Sequence, residues 1–233
     1  GARDFLTKPP MVDELISAIR RAGSMAQEER EKTKARFPTE HPGGPGTSSL
    51  SQNAALGKVV VVYSPKGGVG CTTLATNLAV TLHNDETPVV LVDGNLQFGD
   101  AAVMLNERGK NSVVDLAPRA HELDPEAVEE VLLTHGGSGI KVLAAPSKPE
   151  EAENVSGEAF ANILDYLRRI YSYIVVDTSS TLTDVSLNAI DSSDILILLA
   201  TQDIPAINNA RLFLDLVDVL KVDRSQILFV MNR

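Results

Sequence analysis

Between an apolar run at 59–63 and a helix-like stretch starting near residue 72, the chain reads Ser64-Pro65-Lys66-Gly67-Gly68-Val69-Gly70-Cys71-Thr72-Thr73. Residue types in this order suit the binding of a phosphate chain. Glycines let backbone N–H groups converge on phosphate oxygens, and the N-terminus of a following helix adds a favourable dipole. Lys66, Gly67, Gly68, Val69, Gly70, Cys71, Thr72 and Thr73 are therefore candidate nucleotide-binding residues. Thr72, in the first helical turn, is placed to ligate Mg²⁺ through its hydroxyl. A glycine-rich turn between strand and helix also occurs as a plain tight connection. The strict pattern G-x-x-x-x-G-K-[ST] fails at two positions, because Pro65 stands at the first glycine and Cys71 at the lysine. Two acids, Asp93 and Asp177, end apolar runs at 89–92 and 174–176, an arrangement common enough that either alone says little.

The elements that must position these residues are legible from Lys58 onward. Apolar, β-branched runs occur at 59–63, 89–92, 140–143, 174–176, 195–199 and 227–231. Helix-like stretches fall between most of them, at about 72–83, 125–134, 157–171 and 206–220. Strands apolar on both faces and separated by helices predict an α/β fold, a mostly parallel doubly wound sheet covered on two sides. Residues 24–57 read as a linker: a mixed-charge run from Glu28 to Arg36, then a Pro-, Gly- and Ser-rich stretch from Pro38 to Ser51. Residues 11–22 show helical spacing, with Met11, Leu15, Ala18, Ile19 and Ala22 on one face. The chain opens on Gly1 and ends on Met231-Asn232-Arg233 directly after a strand-like run, so it reads as a fragment of a longer protein.

Composition narrows the function classes. The net charge is −10, yet residues 1–55 hold eight basic and seven acidic side chains, which leaves the body at about −11. A body that acidic repels a phosphate backbone, so nonspecific nucleic-acid binding is not expected. The single cysteine excludes an internal disulfide and a cysteine-held iron–sulfur cluster, and fits a reducing cytoplasm. His41, His83, His121 and His135 are scattered without ligand spacing, which favours surface or capping roles over zinc. Cys71 reads as a small neutral replacement for the lost lysine, with a redox switch as the sharper alternative.

Lys66-Gly67-Gly68-Val69-Gly70 resembles the signature of the MinD/ParA family, the deviant Walker P-loop ATPases, and the likeness covers residues 58–233. It implies ATP and Mg²⁺ as cofactors, and a homodimer in which Lys66 reaches across to the partner's phosphates. Asp93-Gly94-Asn95-Leu96-Gln97-Phe98-Gly99-Asp100 looks like the family's switch I, which implies that Asp93 holds a water on Mg²⁺. Asn95 stands where the family usually has a second aspartate that helps hydrolysis. Ile174-Val175-Val176-Asp177-Thr178-Ser179-Ser180 is similar to the Walker B and switch II segment, putting Asp177 near the metal. Asn232 matches an asparagine that contacts adenine. Lys66, Asp93 and Asn95 are thereby the candidate catalytic residues, and Thr72, Asp93 and Asp177 the metal set. With Cys71 and Asn95 at the two departures, slow ATP hydrolysis or none is implied, because phosphoryl transfer relies on placed charge.

Two further likenesses refine this. Gly1 to Pro9, followed by Asp13-Glu14-Leu15, resembles the last strand and helix of a response-regulator receiver domain, making residues 1–23 a receiver-like remnant with Lys8 as its phosphoryl-contacting lysine. Leu96 to Asp100 and Thr201 to Arg211 look like the CpaE/TadZ branch, which acts in Flp/Tad pilus assembly. Three functions follow as expectations. The first is an ATP-dependent pilus-assembly or polar-localisation factor, cytoplasmic and recruited to the inner membrane or cell pole. The second is a spatial-positioning ATPase for a division site or for partition, with peripheral membrane contact. The third is a scaffold that keeps only the fold.

Overall fold

The computed structural model describes residues 56–220 and 222–233. The receiver-like segment 1–23 and nearly all of the linker 24–57 lie outside the described residues.

The first strand, β1 (Lys58–Tyr63), lies in the interior of a seven-stranded sheet. Its neighbours are β5 (Tyr173–Asp177) and β6 (Ile195–Thr201), both parallel to it. Beyond β5 lie β2 (Val89–Asp93), β4 (Lys141–Leu143) and the short β3 (Leu133–Thr134); beyond β6 lies β7 (Ile227–Asn232). Every pairing is parallel except β3 with β4. Val59, Val60, Val61 and Val62 are all fully buried. Such continuous burial is what helices on both faces of a sheet produce.

Alternation along β1 divides the core. Val60 and Val62 face α1 (Cys71–Leu82), whose Ala75, Leu78, Ala79 and Leu82 complete that layer. Val59, Val61 and Tyr63 face the other layer, where α5 (Gly157–Leu167), α6 (Asp184–Asp191) and α7 (Ile204–Leu220) pack. The short α2 (Ala101–Met104), α3 (Val113–Leu116) and α4 (Pro125–Val131) fill the loops after β2. At the foot of the sheet, Asp194 accepts hydrogen bonds from the Val59 N–H (3.0 Å) and from Arg168 (2.9 Å). Arg168 Nε in turn donates to the Gly57 carbonyl (3.1 Å), which fixes where the chain enters the domain.

The parallel sheet and all six apolar runs appear as the sequence predicts. The helix expected over 125–134 ends sooner, at Val131. Leu132 turns to extended backbone, and Leu133-Thr134 pair antiparallel with Lys141–Val142 around a turn that Gly139 (φ +81°) closes. The helix expected over 157–171 stops at Leu167, because the chain must bend to bury Tyr171 and deliver β5. Helix α6 has no counterpart in the sequence reading; it is short and polar, and it starts on Thr183, whose hydroxyl oxygen accepts from the Ser186 N–H (3.1 Å).

Candidate functional site: a phosphate loop beside two buried carboxylates

In a doubly wound sheet, ligands bind beyond the carboxyl ends of the strands, and the candidate residues gather there. The loop after β1 is shaped by glycines in the left-handed region, Gly68 at φ +76° and Gly70 at φ +99°. Gly70 is also the residue that opens α1, and its carbonyl accepts the helix's first hydrogen bond, from Leu74 N–H (2.9 Å). A Cβ on Gly70 would sit 2.9 Å from Asn232 Nδ2, so both backbone angle and space demand glycine there. The loop lines a cavity of about 380 Å³ together with Asn95 and residues 178–180. A second cleft, of about 490 Å³, continues from it past Asn95, Ser179 and Ser180, walled by Phe98, Val155 and Val185.

Asp93 and Asp177 are register partners at the ends of β2 and β5, and each is 1% exposed. Asp93 accepts hydrogen bonds from the Asn95 and Ala101 backbone N–H groups, each at 3.1 Å. Burial, reinforced by the neighbouring Asp177 charge, pushes its carboxyl up to about 7. Asp177 is raised to about 6, again mainly by burial. The nearby Thr72 hydroxyl lowers that value somewhat, yet neither Asp177 oxygen has a partner of normal hydrogen-bond geometry among the described residues. A buried carboxylate without a partner is costly, and a divalent cation is what offsets such a pair. The donor set of Thr72, Asp93 and Asp177 therefore fits Mg²⁺.

Cys71 is half-buried, and its thiol is pushed up to about 12 by burial and by the Asp177 charge. It is neither a cation nor a thiolate at neutral pH. Asn95 donates its side-chain amide to the Phe98 carbonyl (2.8 Å), which ties it to its own loop. Asn232 comes to the site from the edge strand β7, and its amide donates to the Val69 carbonyl (2.8 Å). The structure thus gives Asn232 a contact with the phosphate loop itself.

Lys66 lies in the loop, but its Nζ is 2.8 Å from both oxygens of Asp203, the residue before α7. Sequence reasoning noted the segment around Asp203 and gave that residue no role. The available signal was its position: an acid between a buried strand and a helix, where its carboxylate accepts the Ala206 N–H (3.0 Å) as a cap.

Residues 57–228 match the family model described as an AAA domain. Among curated proteins, the septum site-determining protein MinD of Synechocystis is 24% identical over 180 residues, covering 76% of this chain and 65% of that protein. The antiactivator FleN of Pseudomonas aeruginosa is 26% identical over 168 residues, covering 69% of this chain and 56% of its own length. Among solved structures, a ParA family ATPase from Chlorobium tepidum superposes with a TM-score of 0.68 at 23% identity, covering 76% of this chain and 74% of that one. MinD from Pyrococcus horikoshii, complexed with Mg-ADP, gives 0.62 at 20% identity, covering 75% and 68%. The chain spans 65% of the length of the first of these relatives.

Proposed function

We propose that this chain, which belongs to the AAA domain family and has the fold of MinD/ParA-type P-loop ATPases, binds ATP·Mg²⁺ and works as a nucleotide-dependent positioning or assembly factor. One observation carries the reading: the buried Asp93–Asp177 pair, with Asp177 unpartnered, stands beside a glycine loop that opens a helix. Loop N–H groups and the α1 N-terminus bind the phosphates. Thr72, Asp93 and Asp177 would hold Mg²⁺, which when bound would offset the charge of the carboxylates and the phosphates. Asn232 keeps the loop in shape through Val69, and its place beside the loop agrees with a contact to the adenine. Asn95 can orient a water but cannot take its proton, and Cys71 supplies no charge, so turnover is slow.

The narrower role we infer is Flp/Tad pilus assembly, supported by the residue choices at Leu96–Asp100 and Thr201–Arg211 and by the lost loop lysine. Placement of a division site or a partition complex is the competing role, and the names of the septum site-determining and ParA relatives favour it. Under either role the chain pairs with a second copy when ATP is bound. No helix among the described residues is long and apolar enough to cross a membrane.

Titration calorimetry with ATP and Mg²⁺ tests the core of the proposal. Binding is expected, and Thr72→Ala should weaken the Mg²⁺-dependent part. No heat at millimolar ATP would leave only a scaffold. Genes for a pilus secretion ATPase and prepilins beside this one would separate the two roles.

A further inference from the structure

We infer that Tyr63 is a positioning residue that fixes the wall of the phosphate cavity opposite the glycine loop and ties that wall to α7; the inference rests on the nucleotide-binding reading of the site. Tyr63 ends β1 after four fully buried valines and is itself 1% exposed. A phenylalanine would fill the same space, and burying a hydroxyl costs free energy unless the group is hydrogen-bonded. The hydroxyl finds its partner on a different element, donating to the Ser180 carbonyl at 3.4 Å. Burial, with the Cys71 charge nearby, pushes it up to about 12, so it stays a donor throughout the physiological range.

A second bond crosses the same gap in the other direction. The buried Thr178 donates its hydroxyl to the Val62 carbonyl at 2.7 Å. The chain that follows Asp177 is therefore braced twice against the last two residues of β1, just where the glycine loop departs. Residues 178–180 line the phosphate cavity together with that loop, so two of its walls spring from one anchored point. The brace also sets what the wall presents. With the Ser180 carbonyl turned to Tyr63, the Thr181 N–H of the same trans peptide points the opposite way, and Thr181 lines the adjoining cleft. The Ser180 hydroxyl stands beside the loop, 3.7 Å from where a Cβ on Gly67 would lie.

Behind the hydroxyl, the Tyr63 ring packs on Phe213 of α7, with centroids 4.7 Å apart and planes tilted by 44°. Phe213 is buried, whereas Ile204, Ile207 and Leu212 of the same helix are exposed. Contacts made on that outer face thus have a short packed route to the cavity wall, from α7 through Phe213 and Tyr63 to Ser180. A hydrogen bond of 3.4 Å is a weak one, so the wall is held in place without being locked.

The substitution Tyr63→Phe removes one oxygen and keeps the ring, so the melting temperature should stay near wild type. Hydrogen exchange of the nucleotide-free protein, read by mass spectrometry, reports on the wall directly. The peptide covering 178–184 should exchange at least about threefold faster in Tyr63→Phe than in wild type, with peptides from α1 and β2 unchanged. Phe213→Leu keeps the hydroxyl and should speed the same peptide, again with α1 and β2 unchanged. In calorimetry, Tyr63→Phe should lower the affinity for ATP·Mg²⁺ about three- to tenfold and leave that for ADP·Mg²⁺ near wild type. The loop holds a diphosphate by itself, and only the longer chain also meets the wall. Unchanged exchange at 178–184 in Tyr63→Phe overturns the inference, and so do equal losses for ATP and ADP, which a merely structural role would give. Phe213→Leu without effect on that peptide overturns the tie to α7. If wild type binds neither nucleotide, the nucleotide reading of the site fails, while faster exchange in both variants still establishes the brace.

Discussion

Replacing Asp177 by asparagine should make the metal-free protein more stable at pH 8, although it damages the site. Asp177 is 1% exposed, and neither of its oxygens has a partner of normal hydrogen-bond geometry among the described residues. The Thr72 hydroxyl and the Thr178 N–H are only weak neighbours, so the substitution breaks no well-formed bond there. Its carboxyl is raised from 3.8 to about 6 in the folded chain. A raised carboxyl binds its proton more tightly folded than unfolded, so its contribution is fully present below pH 4 and is lost as pH rises through 6. At about 1.4 kcal/mol per unit, the charged form costs the fold on the order of 3 kcal/mol at pH 8. Burying an unpartnered amide returns roughly 1 kcal/mol of that cost. The net gain of about 2 kcal/mol corresponds to roughly 4–8 °C in melting temperature for a domain of this size.

Thermal melts of wild type and Asp177→Asn from pH 5 to 8, in a chelator and with ATP·Mg²⁺, measure this. Asp93 is raised to about 7 partly by the Asp177 charge, so its own loss of stability falls in the same direction and window. Wild type should therefore lose stability from pH 5 to 8 in chelator, and Asp177→Asn should lose less. With ATP·Mg²⁺ the order should reverse, because only wild type gains from the ligand. If Asp177→Asn melts below wild type at pH 8 in chelator, the carboxylates are not the strained pair described above, and the metal argument loses its basis.

Restoring the two departures from the strict pattern, with Cys71→Lys and Asn95→Asp together, should raise ATP hydrolysis above wild type in a phosphate-release assay. A double variant that binds ATP and still turns over at the wild-type rate would place the cause of slow turnover elsewhere. The Cys71 thiol, pushed up to about 12, should react with iodoacetamide at pH 8 at least about a hundredfold more slowly in the folded protein than in urea, because the thiolate is the reacting species. Similar rates in the two states would refute its assignment as an inert filler.

How far the sequence speaks differs between parts of this chain. The central strands were legible because Val59 to Val62 and Ile195 to Leu199 are apolar on both faces, a pattern that a sheet covered on two sides requires. The loop was legible because its glycines carry backbone information directly; Gly70 sits at φ +99° against Asn232. Helix α6 and strand β3 were not legible, since one is short and polar and the other has two residues whose pairing is set by a hairpin. Asp203 shows the deeper limit. A helix cap is a local pattern, but the partnership of residues 66 and 203 depends on β6 lying beside β1, which no local spacing encodes.

These pieces define an electrostatic state that single residues do not reveal. The lysine of the loop is neutralised by Asp203, and Cys71 is uncharged. Asp93 and Asp177 are adjacent and both buried, which raises both carboxyls, yet the pair remains net negative near neutral pH. The side chains facing the phosphates therefore carry no net positive charge before a cation enters. Backbone N–H groups and the α1 dipole contribute only a fraction of a unit charge at the loop. Nucleotide without a divalent cation meets a site that is neutral to negative, whereas the cation-bound form supplies the missing charge where Asp177 has two unpartnered oxygens. Under the proposed function, nucleotide binding should therefore depend strongly on a divalent cation, and calorimetry with ATP in a chelator should show much weaker binding than with ATP·Mg²⁺.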